Sequence, residues 1–407
     1  MRTSWHESLS TPHTSQRMAM SSKLSEVDPT TAGRCPKAAT PSSKRIRAAR
    51  NASSVQEESR HSKRRGAEKR QKIAKECVIV HLPEYEDRAV DVDVLKDSYY
   101  VYDGGEAGNP PIQHRGDLPK PFVVQHVSSL HVIDDHLRNG KGLGLYAADD
   151  KTFHFCIAPR KYCAQNLLNK GKVKSLVTAF DRVTESKKIP NQRAKSIGRQ
   201  VFCDESSCKP VSVPYTVAGV QAPQGAKGVK NHSRQAPELA KTNNKWAWDA
   251  LLDLIKRLEF IYKQSVPKEV IAHLEAAKKV VDFPTYSSHD GSNKSEYFGA
   301  VAYAKNVYLS MHDDDDFSYS IMSPQMKHLS EEVVMYFAFP SLGIAVPLRP
   351  GDVLIFNPRT FHGASSRCRN ADEIYCTSVY QKAKVVGGND NSVPVTEEQE
   401  LLGGTYK

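Results

Sequence analysis

The sequence predicts an α+β protein in which an antiparallel β-sandwich or barrel is supported by helices and preceded by a disordered basic tail. Three observations predict it. Residues 1–75 contain almost no large apolar side chains, residues 246–281 carry apolar side chains at helical spacing, and from Tyr297 onward short β-branched and aromatic runs alternate with Gly and Pro turns.

The tail comes first. Residues 1–75 are rich in Ser, Thr, Lys, Arg and Ala, and such a segment cannot offset the entropy of ordering. The 407-residue chain has a formal net charge of +11, and its distribution is uneven. From Lys44 to Lys75, twelve Lys or Arg stand against three Glu, so nine of the eleven charges lie there and the remainder is close to neutral. KRIRAAR at 44–50 and SKRRGAEKRQK at 62–72 form two clusters, with Lys44, Arg45, Lys63, Arg64 and Arg65 at their centres. Such clusters read as a nuclear-localisation signal or a phosphate-binding arm, so the expected partner is DNA or RNA and the expected location nuclear, with a solvated tail and a cytoplasmic location as the alternative. The opening MRTSWHESLSTPHTSQ lacks the apolar core of a secretory signal, and no run of about 18 uninterrupted apolar residues follows. The expectation is an intracellular protein with no membrane span and with its eight scattered cysteines reduced.

At Cys77 the texture changes. CVIVHLP, VLKDSYYVYDGG at 94–105 and FVVQHVSSLHVI at 122–133 are strand-like, so residues 77–182 are expected to form an N-terminal α/β subregion. Residues 183–243, rich in Lys, Ser, Gln, Pro and Gly, read as a loop or linker. Residues 244–392 hold helices followed by the β domain, and 393–407 form a C-terminal tail. Trp248, Leu251, Leu252, Ile255, Leu258, Ile261 and Tyr262 recur at spacings of three and four, which predicts a helix broken at Pro267. A second helix over 267–281 presents Val270, Ile271, Leu274, Ala277 and Val281. Both stripes are read as faces packed on a sheet.

The chemistry lies in the last quarter. His312 and Asp314 stand at i and i+2, so on a strand they point the same way while Asp313 points away. Fifty residues later, PLRPGDVLIFNPRTFHG sets a Pro350-Gly351 turn, a buried strand from Val353 to Phe356, and His362 where that strand emerges. Two histidines and one carboxylate suit a mononuclear non-haem iron(II) site, because they occupy one face of the metal and leave the other open. Two alternatives stand beside it. The Asp313–Asp316 run could hold a nucleotide-sugar through a divalent cation, and Cys156, Cys163, Cys203 and Cys208 could hold structural zinc.

These motifs, HDD at 312–314, GDVLIF at 351–356 and FHG at 361–363, resemble those of the iron(II), 2-oxoglutarate-dependent dioxygenases over about residues 295–392. The resemblance implies a double-stranded β-helix (jelly-roll) barrel in which His312, Asp314 and His362 bind Fe(II) and a C–H bond is hydroxylated. That family commonly anchors 2-oxoglutarate through Arg or Lys on the strand after the distal His, yet residues 372–379 contain neither. Candidates for that role are Arg367, Arg369, Lys327 and Lys382, with Tyr308 beside them, and ascorbate is the alternative cosubstrate.

Within the family, the fifty-residue His interval, the VPLRPGDVLIFNP block and the basic tail resemble the TET/JBP-like group, which oxidises the methyl of 5-methylcytosine or thymine. The resemblance implies a flipped base, with DNA or RNA held by the tail and the barrel rim, and Tyr303, Tyr308, Phe317 and Tyr319 as stacking candidates or core residues. Hydroxylation of a protein or small molecule, or DNA binding without turnover by a protein derived from a mobile element, are the competing readings.

Overall fold

Short β-branched and aromatic runs form the strands of a mixed α/β structure with two large sheets. The computed structural model describes residues 76–95, 99–103, 123–134, 137, 139–147, 152–164, 170–184, 215–221, 234–235, 245–305, 311–326, 330–365 and 374–386. The basic clusters at 44–72 and the segment 393–407 lie outside the described residues. In chain order the described strands and longer helices are β1 (Cys77–His81), β2 (Tyr99–Tyr102), β3 (Val123–His126), β4 (His131–Val132), β5 (Gly142–Tyr146), β6 (Phe153–Ile157), α1 (Lys170–Thr184), β7 (Tyr215–Gln221) and β8 (Arg234–Gln235). They continue with α2 (Lys245–Ser265), α3 (Lys268–Val280), β9 (Ala300–Lys305), β10 (Ser320–Gln325), β11 (Met335–Phe339), β12 (Ile344–Leu348), β13 (Leu354–Phe356), β14 (Gly363–Ala364) and β15 (Tyr375–Tyr380).

The larger sheet has nine strands in the order β1-β5-β6-β13-β10-β15-β9-β7-β8, and the smaller has four in the order β14-β11-β12-β4. Pairing is antiparallel within both, except that β1 runs parallel to β5 and β4 parallel to β12. A further parallel pair, β2 and β3, stands apart as a ribbon.

Alternation along the strands sorts their side chains into two layers. Ile321, Ile355, Tyr375 and Val379 turn to one face of the larger sheet and join Trp248, Leu251, Leu254, Ile255 and Leu258 from α2. Their neighbours Met322, Leu354, Phe356 and Cys376 turn to the other face and join Phe337, Phe339, Val346 and Leu348 of the smaller sheet. Phe155 stacks on Phe339 across that second layer, at 4.9 Å between ring centroids. Each fully buried side chain of this size contributes roughly 1.5–3 kcal/mol, so helices, large sheet and small sheet hold one another as three layers.

The helices follow the predicted stripes, with Pro267 at the junction as the cap of α3. One buried polar group sits in this packing. Glu259, on α2, is 4% exposed and accepts hydrogen bonds from Ser295 Oγ (2.8 Å), Glu296 N (2.9 Å) and Tyr297 N (2.7 Å). It thereby fixes the chain that enters β9. Burial, the largest influence on its carboxyl, raises the pKa above the ordinary glutamate value, and the hydrogen bonds oppose that shift.

Two parts of the sequence fold differently from the simplest expectation. Residues 215–221, within the stretch read as a linker, form β7 and pair with β9 in the larger sheet. Tyr-Thr-Val-Ala-Gly-Val has strand composition, but it is short and surrounded by polar sequence that hides its signal. The stretch read as an N-terminal subregion is also continuous with the site-bearing strands, because β6 pairs with β13 over Phe155 to Ile157. At Gly219, φ is +105° and an added Cβ would collide with the carbonyl oxygen of Gly299, so only glycine lets β7 lie this close to the strand entry.

Candidate metal centre

Main-chain pairing brings the two distant histidines together. His312 and His362 form an isolated antiparallel bridge, with His312 N donating to His362 O at 3.0 Å and His362 N to His312 O at 2.9 Å. Asp314 is held by the same turn, its amide donating to Pro358 O at 2.8 Å. The PRTF turn after β13 is therefore the frame for all three side chains, and Asn357 shapes it by accepting from the amide of Arg359 through Oδ1 (3.0 Å).

The side chains converge. Asp314 Oδ2 lies 3.6 Å from His312 Nε2 and 4.0 Å from His362 Nε2, and the imidazole centroids are 4.7 Å apart. One donor atom from each residue lies within 4.8 Å of the other two, the single such cluster found among the described residues. Donors at right angles on a first-row ion, each about 2.0–2.2 Å from it, stand about 3 Å apart. The two gaps from Asp314 Oδ2 would close by about 0.6 and about 1 Å to reach coordination range. Asp313 is exposed and takes no part.

His362 is prepared for ligation by its surroundings. Its Nδ1 lies 2.7 Å from Thr360 O, so the ring donates its proton there and leaves the Nε2 lone pair for the cluster. The ring is 3% exposed, with Phe356 at 4.6 Å and Phe337 at 5.5 Å between centroids. Burial first, and the neighbouring His312 second, hold the imidazole down to about 3, against the opposing pull of Asp314 and the Thr360 carbonyl. At neutral pH it is uncharged, the form in which an imidazole can bind a metal. A neutral imidazole at His362, a second imidazole from His312, one carboxylate and a dry aromatic wall fit an iron(II) ion, and the arrangement can bind such an ion while leaving one side open.

The remaining candidates divide. Lys382 lies at the site, with Nζ 3.4 Å from Asp314 Oδ1 and 2.6 Å from Asp316 Oδ1. Lys327, Arg367, Arg369 and Tyr308 lie outside the described residues, as do Cys203 and Cys208. Tyr303, Phe317 and Tyr319 are 1%, 7% and 4% exposed and pack in the layer between the larger sheet and the helices, so they are core rather than stacking surface. Cys156 and Cys163 are buried in the core. Asp316, within the Asp313–Asp316 run, is 3% exposed and accepts from Ser320 Oγ at 2.7 Å. Sequence reasoning missed Asp316 and Arg359, which pairs with the exposed Asp315 at 3.3 Å. The i+4 relation of Asp316 and Ser320 and the position of Arg359 inside the His362 turn were their only signals.

No protein-family model and no curated protein matches the sequence. Solved structures give looser likenesses. NgTET1 in complex with 5mC DNA is 11% identical, over 64% of this chain and 85% of that one, at a TM-score of 0.37. The viral collagen prolyl hydroxylase vCPH from Paramecium Bursaria Chlorella virus-1, in its 2OG complex, is 13% identical over 53% and 92%, at 0.24. The non-haem alpha ketoglutarate dependent carbocyclase SnoK from nogalamycin biosynthesis is 13% identical over 62% and 89%, at 0.28.

Proposed function

We propose that the protein is an iron(II)-dependent dioxygenase of the double-stranded β-helix type that hydroxylates a C–H bond, most favourably the methyl group of 5-methylcytosine or thymine in a nucleic acid. The observation that carries this reading is the convergence of His312, Asp314 and His362 on one point, with His362 turned so that Nε2 faces it. His312, Asp314 and His362 hold Fe(II), with 2-oxoglutarate or ascorbate as cosubstrate. Iron in that position supplies the oxidation of an unactivated C–H bond by dioxygen, the cosubstrate providing the electrons that reduce the second oxygen atom.

The chain's own residues bind and shield. Thr360 O keeps the His362 proton on Nδ1, Phe337 and Phe356 exclude water from the buried imidazole, and the Asp314 amide on Pro358 O keeps the carboxylate aligned with both rings. The nucleic-acid substrate is supported by the basic clusters at Lys44–Arg45 and Lys63–Arg65, which supply the phosphate contacts that hold a duplex in register while a base is extruded, and which also favour a nuclear location. Among the described residues no helix is long and apolar enough to cross a membrane.

The test is a turnover assay of the full chain on a duplex carrying 5-methylcytosine, with Fe(II) and either 2-oxoglutarate or ascorbate, read by mass spectrometry of the released nucleosides. A hydroxylated base that disappears in His312→Ala supports the proposal. Methyl groups left intact by both cosubstrates, in protein that binds iron stoichiometrically, refute the nucleic-acid substrate and leave a protein or small molecule as the target. Removal of residues 1–75 is expected to weaken duplex binding and turnover together.

A further inference from the structure

We infer that Lys382 is a positioning residue that, clamped by Asp316, restricts the Asp314 carboxylate to binding metal through one oxygen. The inference rests on the metal reading above. The two oxygens of Asp314 are already divided: Oδ2 faces both imidazoles, at 3.6 and 4.0 Å, while Oδ1 faces Lys382 Nζ at 3.4 Å. A carboxylate with no such neighbour can close both oxygens on one divalent ion. An ammonium on Oδ1 opposes that, because the second oxygen would have to turn away from its charge. Three protein donors would leave a bound metal more open positions for cosubstrate and oxygen than a set in which the aspartate used both oxygens.

Lys382 is not free to wander from this task. Its main chain forms an antiparallel bridge with Asp316, flanked by Phe317 N on Gln381 O (2.7 Å) and Ala383 N on Asp315 O (3.2 Å). Nζ lies 2.6 Å from Asp316 Oδ1, and 4.9 Å from the centre of the Tyr380 ring. Asp316 is fixed in turn by Ser320 Oγ on its other oxygen, and it is 3% exposed. For Lys382 to reach out to a cosubstrate carboxylate, it would have to leave a buried anion uncovered. The geometry therefore assigns Lys382 to the ligand Asp314, and the cosubstrate anchor to another group.

The probe is Co(II), whose visible bands report coordination number. Full-length wild type, Lys382→Met, Lys382→Arg and the double variant Lys382→Met with Asp316→Asn are titrated without oxygen, with affinity measured against a competing chelator. Loss of a partner behind a metal ligand typically weakens binding about 10–100-fold, so that loss is expected in Lys382→Met, together with a changed band pattern. Lys382→Arg should recover most of the affinity and the wild-type spectrum, which a purely structural role would not require. The double variant removes both charges of the pair, so it keeps the test open if Lys382→Met alone fails to fold, and it should show the same loss. Wild-type affinity and bands in either methionine variant overturn the inference. A wild type that binds no Co(II), like His362→Ala, overturns the metal centre itself, and with it the inference.

Discussion

Acidifying the metal-free protein should cost it stability through His362, by an amount that follows from the burial of its ring. The imidazole is held down to about 3 in the fold, by burial first, against an ordinary value of 6.5. A folded-state pKa below the unfolded one means that the unfolded chain takes up a proton first. The stability is therefore complete above 6.5 and is lost as pH falls toward 3. Between those limits the slope approaches about 1.4 kcal/mol per pH unit, and the loss from pH 7 to pH 5 comes to about 2 kcal/mol. Buried Asp316 and Asp352, whose carboxyls are raised mainly by burial, act in the opposite direction. Comparing wild type with His362→Gln cancels them, since both proteins retain these groups. The assay is urea unfolding of chelator-treated protein at pH 7, 6 and 5. The difference between the two proteins should shrink by about 2 kcal/mol over that range. A difference constant to within about 0.5 kcal/mol would refute the claim that His362 is buried as the neutral ligand form.

Three further outcomes follow from packing. Glu259→Ala should cost about 3 kcal/mol by urea unfolding, because the amides of Glu296 and Tyr297 and the hydroxyl of Ser295 lose their acceptor in a buried place. Asp352→Ala should cost about 3 kcal/mol, since it strips Arg160 Nη1 (2.7 Å) and Arg349 N (2.8 Å) of their carboxylate while the guanidinium remains mostly buried; Asp352→Ala with Arg160→Met should recover part of that loss. Gly219→Ala meets both a left-handed φ and the Gly299 carbonyl, so a drop in melting temperature of several degrees is expected, whereas Gly291→Ala, with open space around it, should lose only the backbone part of that cost.

Much of the site was legible because it follows from local rules. The i, i+2 relation of His312 and Asp314 and the turn-strand-His order of 350–362 are properties of short segments, and the structure brings these three side chains together. The stripes of α2 and α3 were equally plain, since a 3.6-residue period persists over their full lengths. What was not legible depends on distant chain. That β6 joins β13 is decided by pairing across nearly 200 residues, and no property of CVIVHLP or FHFCI announces its partner. Nor does an Asp in a run of four reveal that it is the buried one; Asp316 differs from Asp315 only by which face of the turn meets Lys382 and Ser320. Tyr303 and Tyr319 illustrate the same limit, because alternation gives a face but not which face packs on helices.

The central claim is that His312, Asp314 and His362 hold iron(II) with an open side for cosubstrate. It is tested most directly by anaerobic titration of the iron(II)-loaded protein with 2-oxoglutarate, following visible absorbance, with His312→Ala alongside. The account predicts stoichiometric iron in the wild type, lost in the variant, and a charge-transfer band on adding 2-oxoglutarate; iron without a band moves the cosubstrate to ascorbate. Iron binding that is absent in the wild type, or unchanged in His312→Ala, would contradict it.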